Sequence, residues 1–75
     1  MKIDKVVNAK GLACPMPIVK TKKAMDELTS GQILEVQTTD KGAKSDLTAW
    51  AKSTGHVLVD FKEDNDVFVF WIQKG

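Results

Sequence analysis

The stretch CPMPIVKTKKAMDELTSG, residues 14–31, decides the fold. Pro17, Ile18, Thr21, Ala24, Met25 and Leu28 fall at i, i+1, i+4, i+7, i+8 and i+11, one stripe of a 3.6-residue helix. Met16, Val19, Lys20, Lys23, Asp26 and Glu27 occupy the opposite side. Thr29, Ser30 and Gly31 stop the helix, with Gly31 able to take the left-handed conformation. The first-turn amides of a helix lack intrahelical partners, so proline is tolerated there. Pro15 and Pro17 both suit that turn, which places Cys14 at or beside the N-cap.

Reading outward, KIDKVVNA is rich in β-branched residues and predicts a strand over residues 3–8. KGLA follows as a turn, where Gly11 can adopt positive φ. Downstream, QILEVQTT predicts a second strand over 32–39, and Asp40 is an N-cap candidate for a helix near 43–53. Ala43, Leu47, Trp50, Ala51 and Thr54 repeat the helical spacing, and Gly55 ends it. HVLVDF and VFVFWI are two more strands, paired as a hairpin across the polar turn KEDND. VFVFWI is apolar on both faces, as an interior strand is. The predicted order is β-α-β-α-β-β in one α+β domain spanning residues 1–75. Strand–helix–strand units favour parallel pairing, so the expectation is a two-layer α/β sandwich. Its mixed four-stranded sheet carries both helices on one face.

The composition narrows the function. With 75 residues the chain holds one modest core. One cysteine and one histidine, His56, provide neither an internal disulfide nor the clustered ligands of a zinc site, so no metal and no cofactor is expected. No segment approaches the roughly 20 apolar residues of a membrane span, and the charged start lacks a signal-peptide core. A free thiol fits a reducing compartment, so the chain reads as cytosolic. The net charge of +1 is too small to imply bulk attraction to nucleic acid. Charge is nevertheless uneven. Lys2, Lys5, Lys10, Lys20, Lys22 and Lys23 face only Asp4 in the first 23 residues, whereas Asp60, Glu63, Asp64 and Asp66 surround Lys62 near the end. The absence of arginine argues against a bidentate phosphate site.

On these residues alone Cys14 has two readings. It is either a small buried hydrophobe or a working thiol. It precedes the apolar stripe rather than sitting in it, and a strand-to-helix junction is usually at the surface. A helix N-terminus carries about half a positive charge, which stabilises a thiolate or a persulfide anion. Lys10, in the turn, adds to that field. Met16 and Val19, exposed beside Lys20 and Lys23, make a docking patch for acidic partners next to the sulfur. His56 reads as structural or merely exposed rather than as a base, Trp50 and Trp71 as core, and Asp46 as a surface or capping residue.

The run NAKGLACPMP, with Gly11, Cys14, Pro15 and Pro17, resembles the signature of the TusA/SirA family of small sulfur carriers. The likeness extends over nearly the whole chain. It takes in the glycine before strand two, the Asp-bearing segment around Asp46, TGH before strand three and the closing hairpin. The resemblance implies that Cys14 accepts sulfane sulfur as a persulfide from a donor such as a cysteine desulfurase or a rhodanese-like protein. The sulfur then passes to an acceptor protein, as in tRNA thiolation or a related pathway. A sulfurtransferase-type carrier of this kind needs no general base, and the expectation is a monomer without direct nucleic-acid contact. One departure stands out: Asn8 occupies the place where most members carry aspartate. Two competing readings are an RNA-binding module using the basic N-terminal third and a thiol redox sensor. The first suffers from missing arginines and few free aromatics, the second from the lack of a resolving cysteine.

Overall fold

A computed structural model describes residues 2–13 and 16–75; Cys14 and Pro15 lie outside the described residues. The elements run β1 (Lys5–Ala9), α1 (Met16–Asp26), β2 (Ile33–Thr38), α2 (Ala43–Thr54), β3 (Val57–Asp64) and β4 (Val67–Gln73). The sheet order is β1-β2-β4-β3, with β1 parallel to β2 and both other pairs antiparallel. The predicted mixed sheet with two helices on one face is therefore the fold, and β4 is an interior strand.

Period-two alternation explains the layers. Val7 and Ala9 of β1, Leu34, Val36 and Thr38 of β2, and Phe68, Phe70 and Ile72 of β4 are all buried. Against them pack Ala24, Met25 and Leu28 from the first helical segment, and Ala43, Leu47 and Ala51 from α2. Ile18 of the predicted stripe sits at the margin of this core, partly buried. Two buried hydroxyls are paid for locally: Thr21 Oγ1 donates to Pro17 O at 2.7 Å, and Thr38 Oγ1 accepts the Asp40 N–H at 3.1 Å. The core cluster thus needs no unpaired polar group, and no buried side-chain N or O atom among the described residues lacks a partner.

Several sequence expectations need correction at their edges. Regular pairing in β1 starts at Lys5, although Asp4 still ties the chain to β2 through its N–H to Ile33 O and its carboxylate to the Ile33 N–H, both at 2.9 Å. Helix α1 ends at Asp26, and Leu28 reaches the core from a following turn in which its N–H donates to Met25 O at 3.0 Å. Asp40 is not the N-cap of α2. That position is Gly42, without a side-chain cap, and Asp40 instead accepts the Gly42 N–H at 3.1 Å in the preceding turn. Gly55 does close α2, at φ 82°. The hairpin loop is shorter than KEDND: β3 runs through Asp64, and only Asn65 and Asp66, both at positive φ, make the turn. Positive φ at both central residues is the geometry whose twist suits a two-residue hairpin.

Trp71 is the clearest relocation. It alternates with Phe70 and Ile72 and so lies on the open face of the sheet, half-buried, where its indole N–H donates to Glu35 Oε1 at 2.9 Å. Trp50, by contrast, packs against the core as expected. His56 is structural: its Nδ1 accepts the Gly75 N–H at 3.0 Å, and its ring lies 5.1 Å from that of Trp50.

Candidate functional site

The loop from β1 to α1 leaves the carboxyl end of the parallel pair β1–β2, where such sheets commonly place their ligands. Its course is fixed by local hydrogen bonds and by one that reaches the end of β2. Lys10 N–H donates to Asn8 Oδ1 at 3.2 Å, and Leu12 N–H donates to Ala9 O at 3.3 Å. Gly11 turns the chain at φ 79°, where a side chain would be strained, and its N–H donates to Thr39 Oγ1 at 2.9 Å. The Met16 N–H then donates to Ala13 O at 2.9 Å, joining the two described residues that flank Cys14 and Pro15. Pro17 is buried in the first turn of α1, and that turn holds no acidic residue to offset the positive end of the helix.

Asn8 does part of what a carboxylate would do there. Its side-chain oxygen accepts the backbone bond that shapes the turn, without adding charge. Thr39 is the residue that reading the sequence missed. A threonine just past a strand gives no periodic signal, and only the adjacency of two loops at one sheet end shows its use. Thr39→Val is expected to destabilise the protein by about 1 kcal/mol, the net worth of one exchanged hydrogen bond. It should also speed exchange of the Gly11 amide, which hydrogen-exchange NMR reads directly.

The outward side of α1 and the edge of β1 enclose an open groove of about 470 Å³. Met16, Val19, Lys20 and Lys23, expected together from the sequence, line one wall. Val6 and Asn8 line the other, with Val7 and Ala24 between them. Met16, Val19 and Val6 are 43%, 48% and 54% exposed, an apolar strip in contact with water. Lys10 is exposed in the neighbouring turn but does not line the groove. At the far end Lys5 pairs with Glu27. The Lys5 ammonium, hydrogen-bonded to Glu27 and attracting it, holds that carboxyl below its usual range, with a smaller pull from Lys23.

The loop that carries the sole cysteine of the sequence precedes a helix whose outward side lines an apolar and basic groove. Comparison gives the chain a family. The family model described as Sulfurtransferase TusA matches residues 5–74, and the chain belongs to that family. It is similar to YrkI of Bacillus subtilis, at 71% identity over the full length of both chains. It is also similar to the sulfur carrier protein TusA of Allochromatium vinosum, at 44% identity over 95% of this chain and 93% of that one. The crystal structure of the SirA-like protein of Desulfitobacterium hafniense superposes with a TM-score of 0.84, at 27% identity, covering 95% of this chain and 97% of that one.

Proposed function

We propose that the protein is a sulfur carrier that holds sulfane sulfur as a persulfide on Cys14. The observation that best supports this reading is membership of the TusA family across residues 5–74, together with a single cysteine immediately before α1. In the first step the Cys14 thiolate attacks the outer sulfur of a donor persulfide. A Cys14–sulfur bond forms, the donor's sulfur–sulfur bond breaks, and the donor leaves as a thiolate. In the second step an acceptor thiolate attacks the outer sulfur on Cys14 and releases the Cys14 thiolate. Both are exchange reactions governed by thiolate fraction and access, with no net redox change. The positive end of α1 favours the anionic sulfur in each resting state.

The donor is a cysteine desulfurase or a rhodanese-like protein, and the acceptor is a second protein serving tRNA thiolation or a related sulfur-transfer route. The setting is the reducing cytosol, which keeps the thiol free. No helix among the described residues is long and apolar enough to cross a membrane. Gly11, Pro15 and Pro17 set the course of the loop, while Met16, Val19, Lys20 and Lys23, with Lys10 nearby, receive the partners.

Incubation with a cysteine desulfurase and cysteine tests the proposal. Intact mass spectrometry is expected to show one added sulfur per chain, lost on reduction. Chains that remain unmodified while the desulfurase turns over would refute the reading.

A further inference from the structure

The two edges of the sheet differ in how they are protected. β3 has a register break between Leu58 and Asp60 and carries Asp60, Lys62, Glu63 and Asp64 along its length. Bulges and charge are the devices that discourage an edge from pairing. β1 has neither a bulge nor a proline, and its pairing with β2 is regular from Lys5 to Ala9. On its outer side alternate residues present backbone N–H and C=O groups with no strand beyond them. That side opens directly onto the groove below α1.

We infer that the groove receives an extended, acidic segment of a partner protein, which adds to the sheet as a strand beside β1. The lengths are comparable: Met16 to Asp26 spans about 15 Å along α1, and Lys5 to Ala9 about 13 Å along β1. The charge selects the occupant. Glu27 is paired with Lys5 and only weakly attracted by Lys23, and neither Lys20 nor Lys23 forms an ion pair among the described residues, so the helical wall keeps a net positive charge. Side chains on one face of an added strand would meet those lysines, with Met16 and Val19 accepting an apolar neighbour. The other face would extend the open side of the sheet beside Val6. Backbone pairing would supply affinity and the alternate side chains specificity. The same lysines repel a second copy of β1, so they select against self-pairing through this edge.

This inference rests on reading the α1 face as the docking surface, and it adds the chemistry of what docks. The probe is a synthetic capped heptapeptide alternating valine with glutamate, titrated to millimolar concentration against the full chain with 15N-labelled backbone. The expected result is slowed exchange and the largest shifts at the amides of residues 5–9. The double variant K20E/K23E, whose substituted positions are exposed, should bind about tenfold more weakly, as reversal of two surface charge contacts predicts. Peptides N-methylated at alternate residues should split into one set that binds and one that does not, because only one edge of an added strand faces β1. Any of four results overturns the inference: no binding; equal binding of a valine–lysine peptide; equal binding of both methylated sets; or protection of residues 5–9 by self-association without peptide. Sulfur loading of Cys14 is measured on the same preparation. Loading without strand addition sinks this inference alone, and strand addition without loading sinks the carrier reading alone.

Discussion

Cys14→Ser is expected to take sulfur loading from one atom per chain to none. The reason is chemical. A persulfide requires a sulfur nucleophile, and a hydroxyl neither ionises near neutral pH nor forms a stable bond to sulfane sulfur. Because Cys14 is the sole cysteine, no second thiol can rescue the variant. The exchange alters one atom, so the unfolding free energy should stay within about 0.5 kcal/mol of the parent, the usual range for surface substitutions. Intact mass measures the first effect and urea unfolding the second. Loading that survives in the serine variant would show that sulfur resides elsewhere, and the assignment of Cys14 would fall.

The second large effect is structural. Phe70 is fully buried in the interior strand β4, opposite Val36 on one side and Phe61 on the other, with the two phenylalanine rings 5.0 Å apart. Phe70→Ala is expected to cost about 3–5 kcal/mol, the transfer loss plus the cavity left behind. A 75-residue chain without disulfide has a total stability on the order of 5 kcal/mol, so this one change leaves only about 0–2 kcal/mol and a variant at the edge of unfolding. Far-UV circular dichroism and urea titration report it. A loss of less than about 1.5 kcal/mol would mean that the core collapses around the gap, and that β4 is not the spine of the domain.

The fold was legible because its two periodicities are clean. The spacing of Pro17, Thr21, Ala24 and Met25 marks a helix with one buried side, and VFVFWI marks a strand with neighbours on both edges. Where the reading slipped, side-chain chemistry was competing with periodicity. Asp40 has the profile of an N-cap, and the helix does start at Ala43 as expected, but the cap position is Gly42 and the Asp40 carboxylate accepts the Gly42 N–H in the turn before it. Trp71 is as apolar as its neighbours, and alternation alone does not say which face meets the helices; the indole found Glu35 on the open side. The groove residues Met16, Val19, Lys20 and Lys23 were visible as the polar-side remainder of a helical stripe. Their groove was not, because its other wall is Val6 and Asn8 of a strand brought alongside only by the crossover to β2. Thr39 was hidden for the same reason, since its bond to Gly11 spans 28 residues.

Cyanolysis of the loaded protein tests the central claim most directly. Protein charged with radiolabelled sulfane sulfur is freed of donor and treated with cyanide, which attacks only the outer sulfur of a persulfide and leaves as thiocyanate. The account predicts that all the label departs as thiocyanate, one per loaded chain, and that the Cys14 thiol returns and can be charged again. Label that stays on the chain after cyanide would contradict it.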